Sequence, residues 1–330
     1  MRAVVVGTLT GPDAASLSVV PEPVGAHAGA SDGGRLLVEV HCAGVSFPDL
    51  LQSRGEYQLA TAPPYVTGGE IAGIVRDADP TTGFAVGERV AGLVHYGGMA
   101  ELALAMPQYT VRLPEHMSFA QGAALYLNYA TAWFAIRRAQ VAVGEVVLVQ
   151  GAAGGVGTAA LDVLRSVGAR TIAVVSSDDK ERAARTMGAE HVVRSSGPWL
   201  EEVRELTDGH GVNVVLDPVG GDRFTDSLRA LDLCGRLVVI GFTGRSIPTV
   251  KVNRLLLRNL SLIGIGMEPL DRRFPGAIRK ISDEVEELAA TGDIDPLIGL
   301  RLPLERGPEA LRLLDRREAI GKIVVDVKPS

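Results

Sequence analysis

Cysteine and histidine are scarce in this 330-residue sequence, and neither is clustered. The two cysteines, Cys42 and Cys234, are too few and too far apart for a disulfide scaffold, which indicates a reducing compartment. The six histidines are scattered along the chain. His41 adjoins Cys42, but neighbours on a strand point to opposite faces. The sequence therefore excludes a disulfide-stabilised class and predicts no metal site.

An excess of positive charge and a long apolar run are also missing. The net charge of −6 argues against a nucleic-acid partner, because a protein surface that binds nucleic acid needs clustered lysine and arginine. The most apolar stretch, Phe119 to Ile136, is broken by Gln121 and Asn128, so it predicts a buried helix and not a membrane span. The first residues turn polar too soon for a secretory signal. We expect a cytoplasmic protein that contacts neither membrane nor nucleic acid.

Glycine, by contrast, is abundant, with 39 residues. Up to about Pro114, short β-like runs between glycine and proline predict an irregular barrel or sandwich. From about Ser118, apolar runs alternate with amphipathic stretches, which predicts a parallel sheet covered by helices on both faces. The predicted strands of that sheet are Val146–Gln150, Arg170–Val175, His191–Val193, Val212–Leu216 and Arg236–Ile240, and the predicted helices are Val156–Val167, Lys180–Met187, Trp199–Thr207 and Arg223–Leu231.

The sharpest motif is a glycine-rich turn, residues 151–157 (GAAGGVG), between a predicted strand and a predicted helix. Gly154 would let the backbone approach phosphates, and Gly157 would let the helix pack closely on the strand. Ala152 stands where the usual pattern has its first glycine. The free amides at such a helix start suit a pyrophosphate. We therefore predict a dinucleotide site that contains Ala152, Gly154, Gly155, Val156 and Gly157.

The end of the second predicted strand indicates which dinucleotide binds. An NAD site normally has a carboxylate there, and a carboxylate would repel the 2′-phosphate of NADPH. Here the strand ends in Ser176, and Lys180 follows, so a hydroxyl and an ammonium could form charge-assisted hydrogen bonds. In the opposing interpretation, Asp178 caps the next helix and Lys180 points to solvent. We predict NADPH, with Ser176 and Lys180 at its 2′-phosphate.

Several further motifs occur in a fixed order along the chain. They are residues 43–49 (AGVSFPD), 68–73 (GGEIAG), 215–221 (VLDPVGG), 235–242 (GRLVVIGF) and 321–324 (GKIV). Together with the glycine turn, they resemble the medium-chain dehydrogenase/reductase superfamily, and within it the zinc-free quinone oxidoreductase branch, the relatives of zeta-crystallin. The resemblance extends nearly from end to end.

The resemblance implies an α/β fold in which a Rossmann doubly wound parallel sheet is inserted in a GroES-like β-rich domain. The substrate domain would comprise residues 1–122 and 268–330, and the dinucleotide-binding domain residues 123–267. Members of the family are commonly dimers or tetramers. The run Ser261–Ile265 would suit an edge strand that continues the sheet into a second subunit, so we expect a homodimer.

The resemblance also implies residues at the reacting centre. Tyr57 matches a tyrosine that lines the active site, and its phenol could donate a hydrogen bond or a proton to the acceptor. Ser46 stands where quinone reductases usually have asparagine and could still donate a hydrogen bond. Thr131 matches a threonine near the nicotinamide. The structural alternatives are an aromatic at the cleft rim for Tyr57 and a helix hydroxyl bonded to the preceding turn for Thr131.

The remaining predicted cofactor contacts lie after later strands and near the C-terminus. Gly241 and Phe242 match positions that face the nicotinamide carboxamide, and Ile265 is expected to do likewise. Arg194 could replace a tyrosine that contacts the 2′-phosphate in relatives. Lys322 could reach the cofactor phosphates, although it could equally be a surface charge.

Zinc is not expected, because two ligand positions of the metal-dependent relatives are changed. The cysteine and histidine of those relatives correspond to Ser46 and Gly69 here, so the usual three-ligand site cannot form. Without a Lewis acid, hydride is better delivered to an acceptor that disperses its own charge.

The leading functional prediction is therefore NADPH-dependent reduction of quinones or similar activated small molecules. One alternative is reduction of an enone or an enoyl thioester with the same cofactor. Another is a sensor or structural protein that binds NADPH with little turnover.

Overall fold

The computed structural model of the chain describes residues 1–30, 33–59 and 61–328. Its strands, in chain order, are β1 (Arg2–Val6), β2 (Ala15–Val19), β3 (Leu36–Val45), β4 (Tyr65–Val66), β5 (Glu70–Ala78), β6 (Arg89–Leu93), β7 (Leu102–Leu104), β8 (Thr110–Arg112), β9 (Val146–Val149), β10 (Arg170–Val175), β11 (His191–Arg194), β12 (Val212–Asp217), β13 (Leu231–Val239), β14 (Ser261–Gly264), β15 (Ile298–Pro303) and β16 (Lys322–Asp326). Its α-helices are α1 (Phe47–Ser53), α2 (Phe119–Gly122), α3 (Tyr126–Ala139), α4 (Gly155–Val167), α5 (Asp178–Thr186), α6 (Trp199–Leu206), α7 (Phe224–Ala230), α8 (Asn253–Arg258), α9 (Met267–Arg273), α10 (Ala277–Thr291) and α11 (Gly307–Asp315). Short 3-10 helices cover Pro12–Ala14, Pro80–Thr82, Pro107–Tyr109, Gly221–Arg223 and Leu304–Arg306.

The chain divides into two units. Unit 1 comprises Met1–Leu127 and Phe274–Ser330, and unit 2 comprises Asn128–Arg273. Both boundaries fall a few residues later than the predicted ones at 122/123 and 267/268. Within the described residues, no helix has the length and apolar character needed to cross a bilayer.

Unit 1 is the β-rich part of the chain. Its larger sheet has the order β15-β16-β3-β5-β6-β8, and β7 also pairs with β3. The pairing is antiparallel except between β15 and β16. A smaller sheet has the order β2-β1-β4. Alternate residues of β3, such as Leu36, Val38 and Val40, are fully buried, as the two-residue period of a strand requires.

Unit 2 contains the parallel sheet that the alternation of strands and helices predicted. Its order is β11-β10-β9-β12-β13-β14, with parallel pairing throughout. The strands are apolar because helices shield them, and Leu148, Ile172 and Val215 contribute to one buried core. The chain winds outward from β9 to β11 and then from β12 to β14. This doubly wound α/β arrangement confirms the predicted fold class.

The apolar stretch from Phe119 to Ile136 was expected to form one buried helix, and this expectation was wrong. The structure contains two helices, because α2 ends at Gly122 and α3 begins at Tyr126. Ser118 caps α2, and its hydroxyl accepts the Gln121 N–H at 3.2 Å. The second helix begins where the carboxylate of Glu70 accepts the N–H of Leu127 at 2.9 Å. A hydrogen-bond acceptor on β5 therefore fixes the start of α3.

Candidate functional site

The predicted dinucleotide residues of unit 2 gather at the carboxyl edge of its parallel sheet. The turn after β9, Ser176 after β10, Arg194 at the end of β11 and Phe242 after β13 all lie at this edge. The winding direction changes between β9 and β12, which are neighbours in the sheet. Ligands of open parallel sheets bind outside the carboxyl ends of the strands at such a switch point. The topology therefore brings these residues to the edge at which a dinucleotide would bind.

The glycine turn has a backbone that side chains would obstruct. Gly151 has φ +57°, in the left-handed region. A Cβ on Gly157 would lie 2.4 Å from the Gly151 carbonyl oxygen and 2.6 Å from the Ala152 Cα. Gly154 is the N-cap of α4, and a Cβ there would meet no atom closer than 3.4 Å. Gly157 is therefore needed to close the turn, whereas Gly154 leaves room in front of the helix.

The predicted 2′-phosphate contacts are close together. The Lys180 ammonium donates to the Ser176 hydroxyl at 3.2 Å. Arg194 donates to Asp178 at 2.7 Å and also pairs with Glu181. These five residues form the β10 cluster, in which two cations and a hydroxyl lie beside two carboxylates.

The opposing interpretation of this segment placed Asp178 at the helix cap, and that part was wrong. Ser177 is the N-cap of α5, and its hydroxyl accepts the Lys180 N–H at 3.4 Å. Asp178 is the first residue of the helix and is paired with Arg194. Its carboxylate is thus held by a cation of the next strand.

The loops after β12 and β13 are tied together by backbone hydrogen bonds. Asp217 is 1% exposed, and its Oδ1 accepts the N–H groups of Val219 and Gly220 at 2.8 and 2.9 Å. Burial raises the pKa of Asp217. The N–H of Thr243 donates to the Pro218 carbonyl at 3.1 Å. Asp217 is a residue that sequence reasoning missed, although its position between a buried strand and a glycine pair signals a loop organiser.

Phe242 and Gly241 lie in this tied region and are half-buried, and Ile265 follows β14 and is also half-buried. A Cβ on Gly220 would lie 2.8 Å from the Phe242 ring, so the turn after β12 must be glycine to admit it. Thr131 is a half-buried residue of α3. All the predicted cofactor contacts except Lys322 therefore belong to unit 2.

In unit 1, Ser46 and Tyr57 flank the first helix. Ser46 is the N-cap of α1 and is 7% exposed. Its N–H donates to Asp49 Oδ2 at 2.7 Å, a reciprocal contact typical of helix starts. Tyr57 lies in the turn after α1 and is half-buried.

Lys322 is not at the surface. It is 3% exposed, and its ammonium donates to Ser46 Oγ at 2.5 Å and forms an ion pair with Glu70, which is fully buried. Burial raises the pKa of Glu70, and Lys322 together with the N–H groups of Leu127 and Tyr126 opposes this effect. We call Ser46, Glu70 and Lys322 the lysine–serine cluster. The sequence left open whether Lys322 reaches the cofactor phosphates or is a surface charge, and its burial contradicts the second alternative.

Asp49 lies beside this cluster and is fully buried. Burial raises its pKa to about 7, and the nearby Glu70 acts in the same direction, while Lys322 opposes it. The carboxyl group therefore keeps its proton to a higher pH than a surface aspartate does.

The side chains around Ser46 do not fit a metal ion. Gly69 has no donor side chain, and the Ser46 oxygen already accepts a hydrogen bond from a cation. Across residues 1–30, 33–59 and 61–328, no group of three His, Cys, Asp or Glu side chains could hold a metal.

Comparison with known proteins identifies the family. Residues 32–115 match the alcohol dehydrogenase GroES-like domain, and residues 155–283 match the family described as zinc-binding dehydrogenase. The chain is 37% identical over 316 residues to quinone oxidoreductase-like protein 2 of Bos taurus, covering 94% of this chain and 88% of that protein. It is 32% identical over 299 residues to a mycocerosic acid synthase-like polyketide synthase of Mycobacterium tuberculosis, covering 89% of this chain and 14% of that protein.

A solved structure gives the same assignment. The quinone oxidoreductase of Thermus thermophilus, solved alone and with NADPH, is 33% identical, with a TM-score of 0.81 over 99% of this chain and 100% of that one. The chain therefore belongs to the quinone oxidoreductase branch of the medium-chain dehydrogenase/reductase superfamily and is an oxidoreductase of that superfamily.

Proposed function

We propose that the chain catalyses NADPH-dependent reduction of quinones or similar activated acceptors without a metal ion. The observation that carries the proposal is the contact between Lys180 and Ser176 beside the glycine turn. A hydroxyl and an ammonium at this strand end suit a phosphate on the adenosine ribose. The relative from Thermus thermophilus, whose structure includes an NADPH complex, supports the same cofactor.

The chain's own residues would bind the cofactor, orient the acceptor and stabilise the negative charge that develops on it. The first N–H groups of α4, at Gly155, Val156 and Gly157, suit the pyrophosphate, because helix starts leave amides without intrahelical partners. When bound, NADPH supplies a hydride. The acceptor gains that hydride and becomes an oxyanion, which then takes one proton to give the neutral reduced product. Tyr57 is the proposed donor of that proton, and Ser46 the proposed hydrogen-bond donor to the oxyanion.

Quinones are the favoured acceptors because they disperse the charge that the hydride brings. The cation nearest Ser46 is the ammonium of Lys322, and this group can polarise a hydroxyl but cannot coordinate a carbonyl as a Lewis acid does. An acceptor whose oxyanion is already stabilised by conjugation needs less help from the protein.

Reduction of an enone or enoyl thioester is the second candidate. It is supported by the polyketide synthase relative, of which 14% aligns with this chain. The same residues would serve, since the enolate formed by hydride addition is also an oxyanion.

Stopped-flow oxidation of NADPH separates these candidates. The acceptors are 1,4-benzoquinone, crotonyl-CoA and cyclohexenone, each tested with and without a chelator. Our proposal predicts selective turnover of the quinone, unchanged by the chelator. Selective turnover of crotonyl-CoA supports the second candidate, and inhibition reversed by added zinc contradicts metal-free chemistry. Tight NADPH binding with no turnover of any acceptor overturns both candidates in favour of a sensor.

We also propose that the chain forms a homodimer through unit 2. Strand β14 is at the edge of the parallel sheet, and Leu262 on it is 37% exposed. Leu256 and Leu257 on the preceding helix are 77% and 74% exposed. An apolar edge of this kind is normally covered.

Light scattering coupled to size-exclusion chromatography tests the dimer. The double variant L256E/L257E should be monomeric, whereas the control Val143→Lys, at an apolar residue of unit 2 that is 80% exposed, should remain dimeric. A monomeric wild type contradicts the proposal.

A further inference from the structure

The lysine–serine cluster is formed by three neighbouring strands of unit 1. Ser46 follows β3, Glu70 begins β5 and Lys322 begins β16. Strand β3 lies between the other two in the sheet, with Gly44 paired to Glu70 and Val45 paired to Ile323. The three side chains are thus brought together by strand register, although they are far apart in sequence.

Gly44 leaves space for this ion pair, and burying the pair costs free energy. A Cβ on Gly44 would lie 2.6 Å from the Lys322 Cε and 3.1 Å from Glu70 Oε2. Removing an ammonium and a carboxylate from water costs several kcal/mol per ion. Glu70 recovers part of that cost through the N–H of Leu127 at 2.9 Å, at the positive end of α3. Apolar side chains of similar volume would fill the same space at a lower free-energy cost, so stability alone does not explain the cluster.

The hydrogen bond between Lys322 and Ser46 sets the direction in which the serine can donate. An ammonium has donors only, whereas a hydroxyl has one proton and two lone pairs. Lys322 therefore occupies a lone pair of Ser46 and cannot take its proton. The serine proton is left for another acceptor, and the positive end of the Glu70–Lys322 dipole faces the hydroxyl oxygen.

We propose that Lys322 is a positioning residue, held by Glu70, which orients and polarises the Ser46 hydroxyl so that it stabilises the oxyanion of the reduced acceptor. The inference rests on the proposed function for its acceptor, and it replaces the expectation that Lys322 contacts cofactor phosphates. Ser46 donates a hydrogen bond and keeps its proton. A fixed dipole in a buried setting is worth more than one in water, because it needs no reorganisation as charge develops.

The first test measures anion stabilisation without turnover. 4-Nitrophenol is titrated into the protein in the presence of NADP⁺, and the absorbance of the bound phenolate gives the preference for the anion. In the wild type we expect phenolate to bind at least about tenfold more tightly than phenol, as a charge-assisted hydrogen bond provides. Ser46→Ala and the charge-free double variant E70Q/K322M should each lose this preference.

The double variant limits the effect on folding, because neither Glu70 nor Lys322 is left as an ion without its partner. The matched control is E39Q/K328M, which removes an ion pair between an exposed lysine and a carboxylate of the same sheet. It should keep the wild-type preference for phenolate. A wild type that shows no such preference, or an E70Q/K322M variant that retains it, overturns the inference.

The second test asks whether Lys322 acts through Ser46. With benzoquinone and NADPH, Ser46→Ala and E70Q/K322M should each lower kcat by roughly 10- to 100-fold. The triple variant should lose no more than Ser46→Ala alone, because the lysine has nothing to polarise once the hydroxyl is gone. The Kd for NADPH should stay within about twofold. Multiplicative losses in the triple variant, or a large rise in that Kd, contradict the inference.

The two tests distinguish this inference from the proposed function. A wild type that fails to reduce quinones but binds phenolate selectively through Ser46 and Lys322 overturns the function and leaves the cluster's role intact. A wild type that reduces quinones but shows no preference for phenolate supports the proposed function and overturns the role of the lysine–serine cluster.

Discussion

The ammonium of Lys180 donates a 3.2 Å hydrogen bond to the hydroxyl of Ser176, across the end of β10 and the first turn of α5. The two groups would present a cation and a hydroxyl to the same phosphate. Arg194 lies in the same cluster, but its guanidinium is engaged by Asp178 and Glu181. Lys180 is the cation of the cluster that contacts the hydroxyl at the strand end, so its removal is the test of the phosphate site.

Lys180→Ala should raise the Kd for NADPH by about 10- to 100-fold, which corresponds to a charge-assisted bond of about 1.5–3 kcal/mol. The Kd for NADH should change little, because NADH lacks the 2′-phosphate. Fluorescence titration with both cofactors measures the two constants. Arg182→Ala is the matched control on the same helix and should alter neither. An equal rise in the Kd for NADPH and for NADH would mean that Lys180 does not contact the 2′-phosphate.

The glycine turn allows structural and binding roles to be separated. Gly157→Ala should destabilise unit 2, because its Cβ would lie 2.4 Å from a backbone oxygen that cannot move without opening the turn. Gly154→Ala should leave the thermal midpoint nearly unchanged, since φ is −83° and the nearest atom is 3.4 Å away.

The same Gly154→Ala variant should nevertheless weaken NADPH binding, because the new methyl group would lie in front of the helix start. Differential scanning fluorimetry with and without NADPH measures both effects. A Gly154→Ala variant with normal stability and an undiminished NADPH-induced shift would contradict the predicted position of the pyrophosphate.

Asp49 predicts a specific pH dependence of stability. Its pKa is about 7 in the folded chain, against an ordinary value of 3.8, because it is buried. As pH rises from about 4 to 7, the unfolded chain releases this proton while the folded chain keeps it, so folding loses stability over that window. Asp49→Asn removes the penalty and keeps an acceptor for the Ser46 N–H.

The free energy of unfolding of Asp49→Asn, relative to that of the wild type, should therefore be higher at about pH 8 than at about pH 5, by about 1–3 kcal/mol. Urea denaturation at the two pH values measures it. Glu115→Gln, at a side chain that is 89% exposed, should show the same relative stability at both. A difference of the opposite sign for Asp49→Asn would mean that the carboxylate is stabilised in the fold.

The sequence predicted unit 2 well because its information is local. Continuous apolar strands, amphipathic helices and a glycine turn each specify a short element, and β10 has the predicted bounds, Arg170–Val175. The contact between Ser176 and Lys180 could also be anticipated, since the residues are four apart around a helix start. The division of the Phe119–Ile136 stretch could not, because its second helix begins at a carboxylate from β5.

The lysine–serine cluster was missed for the same reason. Its members come from three strands, and only register joins them. A signal was nevertheless present: Glu70 and Lys322 are opposite charges that each come directly before an apolar run, residues 71–75 (IAGIV) and 323–325 (IVV). Opposite charges next to apolar runs in two strands of one sheet indicate a buried pair.

The two cysteines should differ sharply in reactivity. Cys42 is 5% exposed, its thiol donates to Asp326 Oδ1 at 3.3 Å, and burial with this contact raises its pKa to about 12. Cys234 is exposed. Because the thiolate is the nucleophile, Cys42 should be almost inert at about pH 8 even where reagent could reach it.

A thiol reagent such as 5,5′-dithiobis(2-nitrobenzoate) should therefore modify a single cysteine of the folded chain quickly and the second only on unfolding. Cys234→Ser should abolish the fast phase, whereas Asp326→Asn should leave it intact. Rapid modification of Cys42 in the folded Cys234→Ser variant would mean that the strand pairing of β3 with β16 opens far more readily than its buried contacts imply.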